Sequence, residues 1–221
     1  MKRSLKPAEA RRSDMLNVAE DLVLSRGLEG LSIEEVARGA GVAKGTFYLH
    51  FRSRRDLLAE LGIQVIRRMA DAALAVGARI ESPSAALVAI LEALKTIERQ
   101  DARLAEALHR AENRELNEWC NIALIRLLGP PLAAVVERGC ATGEFSVPNA
   151  LATVEFILAG QAFLLGADRF GWSEAERAAR EQATLTIIER ALGANDGTLR
   201  TAMTKVLTSA RSAASSTPPE T

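Results

Sequence analysis

Histidines and cysteines, the side chains that most often bind metals or act as nucleophiles, are few in this chain. It contains two of each. His109 has Glu106 and Glu112 three residues away on either side, a spacing that brings side chains together on a helix. We expect a solvated or ligand-contacting histidine there, with no bound metal and no cofactor. The sequence also lacks Cys-x-x-Cys, P-loop, dinucleotide-binding and Gly-x-Ser-x-Gly motifs, so we do not expect an enzyme.

The length of 221 residues allows one domain or two small ones. Residues 1–7 are charged but precede no apolar stretch, and no apolar run approaches about 18 residues. We therefore predict no signal peptide, no membrane association and a cytoplasmic location. Cys120 and Cys140 are interpreted as free thiols of a reducing compartment, with a redox switch as the alternative.

Charge is unevenly distributed, although the net charge is zero. Residues 1–60 carry 11 Lys/Arg and 9 Asp/Glu, and every charged residue between Glu35 and Asp56 is basic. Charge runs are often only solvated helix faces. A basic N-terminal part on a mildly acidic remainder is also the distribution expected where one end of a protein binds phosphates.

Apolar residues recur at spacings of three and four along the whole chain, which predicts an all-α fold. Capping-box patterns at Ser32, Ser53 and Ser173 predict helix starts, and Pro83 and Pro148 fit first turns. Gly129-Pro130-Pro131 is expected to break or kink a helix. The predicted helices are residues 7–25, a short one from 32, 44–50, 53–77, one from 83, one or two over 104–128, 148–166, 174–192 and 198–210.

The segment from Leu31 to Phe51 has the pattern of two short helices around a tight turn. Gly41 permits the left-handed conformation that such a turn requires. The second short helix would bury Phe47 and Phe51 and expose the polar residues between and before them. This spacing alone fits a DNA-reading helix-turn-helix and a plain three-helix cap equally well.

Residues 10–60 closely resemble the TetR family of bacterial transcriptional repressors. The resemblance rests on Ala19, Leu22 and Gly27, on Leu31–Ala37 (LSIEEVA), and on Gly41–Leu58 (GVAKGTFYLHFRSRRDLL). It implies an all-α homodimer with an N-terminal three-helix helix-turn-helix domain and a C-terminal helical bundle for regulation and dimerisation. Two departures are Ala43, where members often have a capping Ser or Thr, and Arg54 in place of the usual Lys.

The resemblance and the chemistry of each side chain together predict a DNA-binding set. Tyr48, His50 and Arg54 are expected to bind phosphates, with Lys44 and Thr46 nearest the base edges. Alternatively, Tyr48 is a core aromatic with a solvated tip, and His50 links helices. Gly45 would let the backbone approach the groove. The predicted DNA-binding residues are Ser32, Lys44, Gly45, Thr46, Tyr48, His50 and Arg54.

The C-terminal part contains scattered aromatic and polar residues that could line a mostly apolar ligand cavity. The alternative, that the aromatics only fill a core, is at least as well supported. The candidates are His109, Trp119, Asn121, Glu155, Phe156, Gln161, Phe163 and Leu164.

The helices at 150–166 and 174–192 are long enough to form half of a four-helix dimer bundle. We predict a DNA-binding domain at 1–55, a ligand-binding and dimerisation domain at 56–210 and a disordered tail at 211–221. The predicted function is that of a repressor bound as a homodimer to near-palindromic operator DNA and released by a small, largely apolar effector. The alternative is a DNA-binding helical scaffold without small-molecule control.

Overall fold

Helices account for the regular secondary structure of the residues that the structure describes. The computed structural model covers residues 7–100, 114–165 and 170–215, and within these ranges it contains no strand. The prediction of an all-α fold is therefore confirmed. The helices are α1 (Ala8–Arg26), α2 (Ile33–Gly39), α3 (Lys44–His50), α4 (Arg54–Gly77), α5 (Pro83–Gln100), α6 (Arg114–Thr142), α7 (Ala150–Leu164), α8 (Glu174–Ala191) and α9 (Thr198–Ser215), with a 3-10 turn at Leu28–Gly30.

The predicted helix starts are occupied by capping side chains. The Ser32 hydroxyl accepts a hydrogen bond from the N–H of Glu35 at 3.2 Å and begins α2. Ser173 and Glu176 form a complete capping box at α8. Helix α5 begins at Pro83, as predicted. These bonds satisfy N–H groups that the first turn of a helix leaves without a partner.

The predicted break at Pro130 and Pro131 does not occur, because α6 continues through both prolines. Each proline removes one N–H donor from the helix. Leu128 and Leu132, on either side of them, are fully buried and hold the segment in the core. The packing of these side chains outweighs the two missing hydrogen bonds.

Two other boundaries differ from the predicted ones. Helix α7 begins at Ala150 rather than Pro148, because the side chain of Asn149 accepts from the Ala152 N–H at 2.8 Å and sets the start. Helix α9 extends to Ser215, into the segment predicted to be a disordered tail.

The chain divides into two compact units. The first unit comprises Met1–Ile66 and Asp101–Cys120, and the second comprises Arg67–Gln100 and Asn121–Thr221. Helix α4 contributes residues to both, as does α6. The predicted functional boundary between residues 55 and 56 stays a prediction.

Helices α1, α2, α3 and the start of α4 build the first unit around a small apolar core. In it α1 packs against α2, and α2 against α3. Completely buried side chains come from each of these helices, among them Met15, Val36, Phe47 and Leu57. Each such side chain contributes about 1.5–3 kcal/mol by its removal from water. The orientation of α3 is therefore set by packing.

In the second unit α5 packs against α9, and α7 and α9 each contact α8. The buried carboxylate of Glu189 accepts hydrogen bonds from the N–H groups of Leu199 at 2.7 Å and of Gly197 and Arg200 at 3.3 Å. These donors belong to the beginning of α9, so a side chain of α8 caps that helix.

Among the described residues, one helix, α6, is long and apolar enough to cross a membrane. Sequence analysis predicted no apolar run of about 18 residues and no membrane association, so a helix that meets the length and hydropathy criterion for a membrane span was not expected. Its residues Leu128, Leu132 and Val136 are buried in the hydrophobic core of the second unit. A core helix passes the same test of length and composition.

Candidate DNA-binding surface

A tight turn between α2 and α3 orients the helix that carries most of the predicted DNA-binding residues. Gly41 has φ +65°, the left-handed conformation that the sequence predicted there. The N–H of Val42 then donates to the carbonyl of Ala37 at 2.9 Å. Ala43 begins α3 without a side-chain cap, as its type implies. Helix α3 is thus held at a fixed angle to α2.

Helix α3 is anchored from one side only. Phe47 is fully buried and Phe51 is 1% exposed, and their rings lie 5.4 Å apart. The guanidinium of Arg12, on α1, lies over the Phe51 ring at 5.2 Å from its centre. This confirms the expected core role of both phenylalanines and leaves the opposite side of α3 in solvent.

The outward face of α3, as we call it below, consists of Lys44, Gly45, Tyr48 and Leu49, all of which are exposed. At about 100° per residue, Gly45 and Leu49 each lie about 160° around the helix from Phe47. Lys44 and Tyr48 form one edge of this face. Half-buried Thr46 and His50 lie on the other flank.

The ammonium group of Lys44 forms an ion pair and hydrogen bond with the carboxylate of Glu34 on α2. This bond raises the pKa of Lys44 and lowers the pKa of Glu34. Both side chains are largely exposed, so the pair is accessible to competing ions. The sequence did not indicate Glu34 as a partner of Lys44. The two residues are ten positions apart, and only the packing of α2 against α3 brings their side chains together.

Tyr48 packs its ring on one side and is exposed on the other. Its ring meets the edge of Phe47 at 90°, with centres 5.5 Å apart, yet 49% of the residue is exposed. An anchored aromatic ring with an accessible hydroxyl is suited to phosphate binding.

Ser32, also predicted to bind DNA, caps α2 and donates its hydroxyl to the Glu35 carboxylate at 3.0 Å. This hydrogen bond is the main reason that the pKa of Glu35 is lowered. Arg26 reinforces the arrangement with an ion pair to Glu35 at 2.6 Å. The Ser32 hydroxyl thus serves the protein's own helix start in this structure.

Arg54 makes hydrogen bonds within the protein. It was expected to bind phosphate, but its Nε donates to the carbonyl of Leu31 at 2.8 Å and its Nη2 donates to the carbonyl of Leu28. The side chain is half-buried. Its fork-shaped guanidinium fastens the start of α4 to the 3-10 turn, where carbonyls would otherwise lack partners.

The ligand candidates that the structure describes are divided between the two units. Trp119 is half-buried in the first unit, where the guanidinium of Arg55 lies 5.2 Å from its ring centre. On α7, Phe156 is 82% exposed and Phe163 is 54% exposed. Glu155 is also exposed, and Gln161, Asn121 and Leu164 are half-buried or exposed. His109 lies outside the described residues, as do Glu106 and Glu112.

An apolar cavity and a polar groove lie among the described residues of the second unit. An apolar cavity of about 20 Å³ is lined by side chains of α5, α6, α7 and α8, including Leu87, Leu132 and Ile157. A polar groove of about 520 Å³ lies between α8 and α9, with Arg190 and Arg200 among its lining residues. The exposed α7 aromatics line neither hollow.

Among the described residues, His, Cys, Asp and Glu side chains form no group of three that could hold a metal ion. Cys120 is buried, and this burial raises the pKa of its thiol to about 11. A Cβ atom at Gly62 would lie 2.7 Å from the Cys120 sulfur, so the thiol fills a close approach of two helices. Such a thiol is a packing group rather than a nucleophile.

Comparison with known proteins identifies the N-terminal part of the fold. Residues 15–61, from α1 to the start of α4, match the family model of bacterial regulatory proteins of the tetR family. This segment of the chain is that of the TetR family. The match includes the turn at Gly41 and the whole outward face of α3.

Curated transcription regulators are similar to part of the chain. The HTH-type transcriptional repressor KstR2 of Mycobacterium tuberculosis is 35% identical over 52 residues, 24% of this chain and 26% of KstR2. The HTH-type transcriptional regulator EthR of that species is 35% identical over 74 residues, 33% of this chain and 34% of EthR. The chain thus matches about a quarter to a third of the length of these relatives.

Solved structures extend the likeness to the whole fold. The structure of RolR in complex with the ligand resorcinol has a TM-score of 0.67 at 19% identity, covering 90% of this chain and 95% of RolR. FadR of Bacillus subtilis in complex with stearoyl-CoA has a TM-score of 0.50 at 18% identity, covering 80% and 96%. At these identities the likeness shows the TetR fold alone.

Proposed function

We propose that the chain is a DNA-binding transcription regulator, located in the cytoplasm, that places the outward face of α3 in the major groove of operator DNA. The carrying observation is that the matched TetR segment buries Phe47 on one side and leaves Lys44, Gly45 and Tyr48 exposed on the other. An added Cβ at Gly45 would meet no atom within 4 Å. The protein itself therefore gives no steric reason for a glycine there, whereas close backbone approach to DNA does.

The proposal assigns separate tasks to the α3 residues. Tyr48 and His50 bind phosphates, which fixes the position of the helix without reading sequence. Lys44 and Thr46 lie nearest the bases. Tyr48→Phe should thus weaken binding to all sequences alike, while Lys44→Ala or Thr46→Ala should change base preference.

The test is a footprint of the purified protein on the DNA upstream of its own gene, followed by fluorescence anisotropy on the protected segment. We expect a protected near-palindrome with half-sites about 34–36 Å apart, or a multiple of that distance. Leu24→Ala, on an exposed position of α1, is the matched control and should bind like the wild type. Equal affinity for the protected segment and for random DNA would refute the proposal.

We further propose a homodimer built on α7 and α8. These contacting helices carry Phe156 at 82% and Ile187 at 64% exposure, with Phe163 also exposed. Burial of one phenylalanine contributes about 2 kcal/mol, and a two-fold interface buries it twice. Phe156→Ser should shift the molecule toward monomer in sedimentation velocity, and an unchanged dimer would contradict this interface.

Control by a small, largely apolar effector is the finer part of the proposal. RolR and FadR, which share the fold, bind resorcinol and stearoyl-CoA respectively. The apolar cavity of the second unit, at about 20 Å³, is far below the roughly 300–1,000 Å³ of ligand pockets. An effector must therefore open the core. This small volume also favours the alternative, a DNA-binding scaffold without an effector.

Calorimetry distinguishes these two candidates. With resorcinol as the first probe, titrations are performed with and without the footprinted DNA. Allosteric coupling of about 1–3 kcal/mol would make DNA weaken effector binding about 5- to 150-fold, and the effector would weaken DNA binding by the same factor. Equal effector affinities in both titrations refute the allosteric mechanism but leave DNA binding intact.

A further inference from the structure

We infer that Leu49 is a sequence-reading residue that recognises the methyl group of thymine in the major groove. This inference rests on the proposed function and deepens it. Leu49 is 83% exposed on a seven-residue helix whose only buried side chain is Phe47. A leucine so exposed has no packing role in the protein.

The position of Leu49 on α3 determines what it can meet. It lies with Gly45 at the centre of the outward face, about 160° from Phe47. Lys44 and Tyr48 lie on one side of it, and Thr46 and His50 on the other. If Tyr48 and His50 bind phosphates at the two edges, the centre of the face is directed at the base edges, and Lys44 and Thr46 reach the bases from either side of it. Because an added Cβ at Gly45 meets nothing within 4 Å, the helix can approach closely enough for Leu49 to reach them.

The chemistry of the side chain then selects the base. Leucine neither donates nor accepts hydrogen bonds. The major-groove edges present donors and acceptors at every base pair, and one apolar group, the C5-methyl of thymine. Against guanine or cytosine, Leu49 would remove water from polar atoms without replacing their hydrogen bonds. Against thymine it buries a methyl group instead.

The experiment starts from a DNA duplex library with a randomised centre, because the operator is unidentified. Wild type, Leu49→Ala and the control Leu24→Ala each select sites from this library. We expect wild type and Leu24→Ala to enrich a thymine at one position of each half-site. Leu49→Ala should lose that preference and keep the others. Since alanine is at least as good a helix former as leucine, the variant should fold.

In the selected site, each thymine is next replaced singly by deoxyuridine, which lacks only the methyl group. At one thymine per half-site, this should weaken wild-type binding about fourfold, the factor for burial of one carbon group, and leave Leu49→Ala unaffected. The inference is overturned if wild type tolerates deoxyuridine everywhere, or if Leu49→Ala keeps the same sensitivity. If wild type enriches no sequence at all, the proposed function itself fails, and the inference fails with it.

Discussion

Gly45→Ala should make the free protein more stable and its DNA complex weaker. Glycine in a helix costs about 1 kcal/mol relative to alanine. Gly45 is in α3 with a helical φ, and an added Cβ would meet nothing within 4 Å. The gain should therefore be about 0.5–1 kcal/mol in the free energy of unfolding, the lower value reflecting the position near the helix start.

Gly41→Ala is the matched control. Its Cβ would also meet nothing within 4 Å, but its φ is +65°. An alanine there carries the cost of the left-handed conformation, about 1–2 kcal/mol. The two substitutions add the same methyl group in open space, so their stabilities should differ by about 2 kcal/mol, with opposite signs.

Urea unfolding followed by Trp119 fluorescence measures both variants. The chain has two tryptophans, and Trp119 belongs to the first unit, so a Trp172→Phe background isolates its signal. On DNA, a methyl group at the closest approach should cost Gly45→Ala about tenfold in affinity, within the usual range for overpacking. A stabilised Gly45→Ala that binds as tightly as wild type would show that the glycine does not serve DNA approach.

Three further predictions follow from single side chains. Arg54→Ala should lower the free energy of unfolding by about 2 kcal/mol, since hydrogen bonds from a charged group to two carbonyls are lost. The slope of log DNA affinity against log salt concentration should stay unchanged. A slope reduced by about one would instead show that Arg54 binds a phosphate. Glu144 accepts from the N–H of Ser84 at 3.0 Å at the start of α5. Burial acts to raise the pKa of Glu144, but its hydrogen bonds with Ser84, Ser82 and Thr142 together lower it. Its contribution to stability should be full above the ordinary pKa of 4.5, fall as pH drops through the lower folded value, and be missing from a Glu144→Gln variant, as chemical unfolding at several pH values can test. Cys120, with a pKa of about 11, is about one-thousandth thiolate at pH 8. It should therefore resist alkylation by iodoacetamide in the native protein. Rapid alkylation of Cys120, detected by peptide mass spectrometry, would contradict its burial.

Local signals in the sequence predicted helix starts and a turn in the two units. The caps at Ser32 and Ser173 and the turn at Gly41 depend on residues no more than a few positions apart, so their patterns are readable. Of the two outcomes predicted at Pro130, a break or a kink, the break does not occur, because the buried leucines around it belong to a core assembled from distant segments. A local rule for proline cannot include that packing.

The candidate site residues also divide into those whose position follows from the local sequence pattern and those whose position depends on distant segments. Phe47 follows from helical periodicity, and the exposure of Leu49 opposite it could have been derived from the same wheel. The internal hydrogen bonds of Arg54 could not have been derived from the sequence, since its partners lie 23 and 26 positions earlier. Whether an arginine binds DNA or the protein's own carbonyls depends on a tertiary contact that the family pattern does not encode.

The ion pair between Lys44 and Glu34 gives the free protein a built-in competitor for its own DNA contact. Any DNA that engages the Lys44 ammonium must first displace a carboxylate. A phosphate offers a similar anionic partner, so that exchange gains little. A guanine edge offers two neutral acceptors and leaves the Glu34 carboxylate without its cation. Under the proposed function, the pair therefore lowers affinity for DNA of any sequence.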